Sequence, residues 1–156
     1  MIKSTKLAVV ILGEQNSGKT ETLREIVKMY TGTPQKQMRA GWRYLSIYPS
    51  VRDLRLQCFF VPASPSETDI QLKDRFPDWQ PDVLFLAEQI NGKHLENSMK
   101  FLEQKEYEVF KYTLSNKDGI DLWDRYNSKT EKEKLKNRAR FILNEVRNKI
   151  EKEILQ

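Results

Sequence analysis

Gly13-Glu14-Gln15-Asn16-Ser17-Gly18-Lys19-Thr20 fits the pattern Gly-x-x-x-x-Gly-Lys-[Ser/Thr] at every fixed position. The two glycines let the backbone turn back on itself without a Cβ clash, so that successive N–H groups from Glu14 to Lys19 can point inward at an anion. In such a loop the Lys19 ammonium is expected on the β- and γ-phosphates of a polyphosphate. The Thr20 hydroxyl is expected to offer one oxygen to Mg²⁺, an ion that takes a few protein oxygens and fills its shell with phosphate oxygens and water. The flanks agree with this reading. Leu7 to Leu12 is a run of apolar residues of the kind that forms a strand buried on both faces. Leu23, Ile26, Val27 and Tyr30 recur at helical spacing after the loop. A helix starting near Ser17 would aim its free amides and its dipole at the phosphates.

Strand, glycine loop and helix in this register resemble the P-loop NTPases and their Walker A motif, over roughly the first 20 residues. The resemblance implies a three-layer α/β fold with a mostly parallel sheet, one antiparallel edge strand and a long C-terminal helix. It also implies nucleotide contacts from Gly13, Glu14, Gln15, Asn16, Ser17, Gly18, Lys19 and Thr20, with Thr20 on Mg²⁺ and Lys19 stabilising the transferring phosphoryl group. A chain of 156 residues is expected to be one domain, large enough to bury a core without disulfides or structural metal. The lone cysteine, Cys58, lies in an apolar stretch and reads as a small buried side chain. That usage suits a reducing cytoplasm. No stretch approaches the roughly 20 apolar residues of a membrane span, so no membrane partner is expected.

The net charge of +5 is concentrated at one end. Residues 129–156 hold nine Lys and Arg against five Glu, and Leu135, Ala139, Ile142, Val146 and Ile150 recur there at steps of three and four. That pattern predicts a long helix from Thr130 with its apolar stripe on the sheet and a mainly basic face in water. Nucleic acid is an alternative partner for that face, but no aromatic stacking platform accompanies it, and a solvated face is the preferred reading.

Between the ends, Thr31 to Gln37 reads as a loop, and by resemblance to GTPase-like domains Thr31 or Thr33 could approach the metal there. Trp42 to Tyr48 and Asp53 to Val61 read as two strands joined by a connection short enough for a hairpin, hence antiparallel. By the same resemblance, Pro62 to Thr68 leaves the carboxyl end of a strand beside the phosphate loop. GTPases carry Asp-x-x-Gly there and this chain does not. Ser66 reads as an N-cap for a helix over 67–75. Asp82 to Glu88 is an apolar run closing on an acid, and Glu88 is the candidate for holding the metal shell or polarising an attacking water; a plain strand end is the alternative. His94, the only histidine, reads as a surface or capping residue at the start of a helix through Glu106.

Tyr107 to Leu114 reads as a strand leading into Ser115-Asn116-Lys117-Asp118-Gly119. The GTPase-like guanine loop is Asn-Lys-x-Asp. Asn116 and Lys117 match it, but Asp118 comes one residue early and Gly119 stands at the diagnostic position. Asn116 and Lys117 are therefore expected to line a base without reading it. The function expected from all this is Mg²⁺-dependent binding of ATP or GTP with slow hydrolysis. Phosphotransfer to a small molecule and a non-catalytic, nucleotide-switched module for a protein partner are the alternatives.

Overall fold

The computed structural model describes residues 6–14, 17–31, 41–45, 56–62, 64–78, 80–114 and 132–153. Strand β1 spans Lys6–Gly13 and is followed by helix α1, Lys19–Thr31. Strands β2, Gly41–Leu45, and β3, Leu56–Val61, come next. A short helix α2, Pro65–Thr68, and a 3-10 turn over Leu72–Asp74 lead to β4, Val83–Gln89. Helix α3, Leu95–Gln104, strand β5, Tyr107–Thr113, and helix α4, Lys132–Glu153, complete the order.

The strands lie in the order β2-β3-β4-β1-β5. From β3 to β5 the four strands are parallel, and β2 pairs with β3 antiparallel, Trp42 opposite Phe59. β1 is flanked on both sides, by β4 in the register Leu12 opposite Glu88 and by β5 in the register Leu12 opposite Thr113. A strand in that position is covered on both faces, which is why Leu7 to Ile11 are almost wholly apolar and all buried.

Alternation along the strands sends side chains to two apolar clusters. Val9, Ile11, Cys58, Phe60, Val83 and Phe85 face α1 and α4, and meet Leu23, Ile26 and Val27 of α1. Phe60 and Phe85 stack there at 4.6 Å between centroids. Val10, Phe59, Val61, Leu84 and Leu86 face the other way, towards Leu72 of the 3-10 turn and Leu102 of α3. Helices therefore cover both faces of the sheet. In α4 the expected stripe of Leu135, Ala139, Ile142, Val146 and Ile150 is buried in the first cluster or beside it. Cys58, the single cysteine, is buried and forms no disulfide within the chain.

One sequence expectation holds in part and another changes. The segment from Pro62 follows β3, which β4 separates from β1, so the strand that pairs with β1 on that side is the one that ends at Glu88 and Gln89. The Pro62 carbonyl does lie against the loop, accepting from Thr20 Oγ1. The helix expected over 67–75 is split. Pro65 occupies the first helical position, where its missing N–H costs nothing, and Asp69 ends the turn in the left-handed region at φ 59°. Ser66 is consequently inside α2 and not its N-cap; Ser64 holds that place.

Candidate functional site

The chain leaves β1 at Gly13 and enters α1 at Lys19, so the loop opens at the carboxyl edge of the sheet. Gly18 has φ 87°, a conformation that glycine adopts without strain. Gly13 is constrained by space instead: a Cβ there would collide with Ser17 Oγ and sit close to the Lys19 stem. A side chain at position 13 would first have to displace the Ser17 hydroxyl. The Ser17 N–H donates to the Glu14 carbonyl at 3.2 Å, closing a tight turn.

Lys19 is 5% exposed, and its ammonium folds back to donate to the carbonyls of Gly13, at 3.1 Å, and Glu14, at 2.8 Å. An ammonium has three donors and no acceptor, so this arrangement holds a positive charge within the loop while the backbone satisfies it. Thr20 Oγ1 donates to the Pro62 carbonyl at 2.9 Å. Its proton is thereby used and its oxygen lone pairs remain available for a cation. Among the described residues no cluster of three or more His, Cys, Asp and Glu side chains could hold a metal. A lone hydroxyl oxygen suits an ion such as Mg²⁺ that draws most of its shell from phosphate and water.

Glu88 has no exposed surface. Its Oε1 accepts from Ser64 Oγ at 3.1 Å and Ser66 Oγ at 3.2 Å, and its Oε2 accepts from Ser98 Oγ at 2.8 Å. Ser64 Oγ in turn accepts the Gln89 N–H, and Ser66 Oγ accepts the His94 N–H. The carboxyl group thus joins α2, the end of β4 and the first turn of α3. It lies on the face of the sheet opposite α1, because its neighbours in alternation, Leu84 and Leu86, do. Sequence reading singled out Glu88 but missed Ser64 and Ser98. Their signal is that both are small polar residues fully buried in the fold, which no local pattern marks.

His94 Nε2 and Asp69 Oδ1 are 2.8 Å apart, and Lys93 Nζ lies 2.9 Å from the same oxygen. The His94 hydrogen bond, and then Lys93, hold the exposed Asp69 carboxyl below the ordinary carboxylate range. An open groove of about 380 Å³ runs between the 3-10 turn and α3, lined by Gln71, Lys73, His94, Asn97, Lys100 and Gln104. Ser98 also lines it, so it borders the Glu88 cluster.

β5 ends beside the loop: the Leu114 N–H donates to the Leu12 carbonyl at 2.6 Å. Asn116 and Lys117, with Asp118 and Gly119, lie outside the described residues, as do Gln15, Asn16 and Thr33. The structure therefore brings together Gly13, Glu14, Ser17, Gly18, Lys19 and Thr20, and sets Glu88 across the sheet from α1. No helix among the described residues is long and apolar enough to cross a membrane. No family model, no curated protein and no solved structure matches the chain.

Proposed function

We propose that this chain is a small P-loop NTPase that binds a nucleoside triphosphate with Mg²⁺ in the Gly13–Thr20 loop and hydrolyses it slowly. The observation that carries this reading is Lys19, a residue only 5% exposed whose ammonium is held by two carbonyls of its own loop at the amino end of α1. A buried lysine is costly unless its charge is used or satisfied. On binding, phosphate oxygens would take over the donors that Gly13 and Glu14 now accept, in a site where the α1 amides add to the attraction. Mg²⁺ bound with the triphosphate would neutralise charge on the β- and γ-oxygens, with Thr20 as its protein ligand. Lys19 and the loop amides would stabilise the charge that develops on the transferring group.

Slow turnover follows from what stands around the loop. No Asp-x-x-Gly follows β3, and both oxygens of Glu88 serve serine hydroxyls. The test is phosphate release and triphosphate binding with and without Mg²⁺. Wild type should bind more tightly with the metal, and Thr20→Ala should lose most of that difference while keeping metal-free binding. A Thr20→Ala protein with the wild-type Mg²⁺ response would remove the residue from the metal site.

Base preference is a separate expectation. Rejecting adenine strongly requires acceptors placed for the guanine N1–H and amine. Gly119 occupies the position where that acceptor would stand. ATP should therefore compete at least as well as GTP against a labelled triphosphate. A GTP preference of about a hundredfold, abolished by Asp118→Ala, would mean that Asp118 reads the base.

A second reading, phosphotransfer to a small molecule, draws support from the groove between the 3-10 turn and α3, whose lining of amides, lysines and an imidazole could hold a polar acceptor. Stoichiometric release of inorganic phosphate without any acceptor would favour hydrolysis over transfer.

A further inference from the structure

Among the described residues Arg138 is the largest side chain buried almost completely, at 1% exposure, and it stands on the same face of α4 as Leu135 and Ile142. A helix that only packed on the sheet would carry an apolar residue there. Instead Arg138 reaches across to the loop: its Nη1 donates to the Ser17 carbonyl at 2.9 Å and lies 3.5 Å from Thr22 Oγ1. Thr22 Oγ1 itself donates to the Gly18 carbonyl at 2.6 Å, and the Thr22 N–H donates to the same oxygen at 2.8 Å.

These bonds fix two successive peptide planes. A trans peptide is flat, with its N–H directed opposite to its C=O. Holding the Ser17 carbonyl against the guanidinium turns the Gly18 N–H away from it. Holding the Gly18 carbonyl against Thr22 does the same for the Lys19 N–H. Both amides belong to the set that would face phosphate. Arginine keeps its charge at any pH a protein survives, so a permanent positive charge lies directly behind them. In a buried setting that charge is screened far less by salt than a surface lysine would be.

We propose that Arg138 is a positioning residue of the anion site, fixing the Gly18 and Lys19 amides and adding a permanent charge behind them, so that α4 is part of the phosphate loop's machinery. This rests on the triphosphate-binding reading above. It also gives the basic C-terminal helix a role that its solvated face does not.

The experiment measures binding of ATP and of inorganic triphosphate, each with Mg²⁺, at several salt concentrations, in wild type, Arg138→Met, Arg138→Lys and Thr22→Val, with circular dichroism to confirm folding. Arg138→Met keeps length and apolar packing but removes charge and donors. It should lose affinity for both ligands by about tenfold or more, and the loss should persist at high salt, because the missing charge is one that salt screens little. Arg138→Lys, which restores the charge, should recover part of the affinity at every salt concentration. Thr22→Val keeps the charge and removes only the hydroxyl that joins Arg138 to the Gly18 carbonyl, leaving the Thr22 N–H on that oxygen, so it should lose affinity a few-fold and less than Arg138→Met does. If Arg138→Met does not fold, the affinities of Arg138→Lys and Thr22→Val still decide. A folded Arg138→Met that binds as wild type does, or whose loss vanishes at high salt, overturns the proposal. So does wild-type affinity in Thr22→Val. Wild type binding neither ligand would instead show that the triphosphate reading itself is wrong.

Discussion

Replacing Lys19 with alanine is expected to lower triphosphate affinity by about a hundredfold, close to 3 kcal/mol, since charge-assisted hydrogen bonds contribute about 1.5 to 3 kcal/mol each. The structure adds a consequence for the ligand-free protein. Lys19 bonds the Gly13 and Glu14 carbonyls, so its loss also leaves two loop acceptors without that donor. The fold should survive, because the Gly13 carbonyl keeps the Ile90 N–H and the Glu14 carbonyl keeps the Ser17 N–H as donors. The melting temperature should fall by only a few degrees, as a loss of about 1 kcal/mol implies. Isothermal titration and thermal melts on the same preparation separate the two effects. Unchanged affinity would remove Lys19 from the phosphates; a chain that failed to fold would make it a structural residue first.

Glu88→Ala should act in the opposite way, on stability before binding. Removing the carboxyl leaves the hydroxyls of Ser64, Ser66 and Ser98 without their acceptor and opens a hole where there is now no exposed surface. Buried polar groups without partners cost about 1 to 3 kcal/mol each, and the combined loss should be about 3 to 5 kcal/mol because the three share one partner. Glu88→Gln keeps the volume and one acceptor oxygen, so it should cost about 1 to 2 kcal/mol. Urea denaturation of both variants gives these numbers. Turnover of Glu88→Gln then discriminates between roles. A stable variant whose hydrolysis collapses would make Glu88 the group that acts on the water, whereas turnover near wild type fits a carboxyl that ties α2, β4 and α3 together.

What could be read from the sequence was what contiguous residues determine. The loop from Gly13 to Thr20 sits between a buried strand and a helix because the apolar run of Leu7 to Leu12 and the spacing of Leu23, Ile26 and Val27 are local patterns. The alternation of Cys58 and Phe60 against Phe59 was legible for the same reason, and the two sets do enter different clusters. Strand order was not legible. β3 and β4 are both apolar runs, and nothing local says which of them pairs with β1.

The other misses share a cause. Ser66 reads as a cap because serine before a helical stretch usually is one, yet Pro65 moves the helix start upstream and the hydroxyl turns to Glu88. Glu88 could be singled out as the acid ending a strand, but its serines come from positions 10 to 24 residues away. Arg138 looks like one more charge on a basic helix, although the carbonyl it serves is 121 residues distant in sequence. Partners at that separation are created by the fold and leave no periodic trace in the chain.

The central claim, that the Gly13–Thr20 loop is a triphosphate site, is tested most directly by titrating the wild-type protein with ATP in the presence of Mg²⁺. Saturable binding of one triphosphate per chain, displaced by inorganic triphosphate and lost in Lys19→Ala, is the predicted result. Absence of saturable binding of ATP, GTP, CTP and UTP to the folded protein would contradict it.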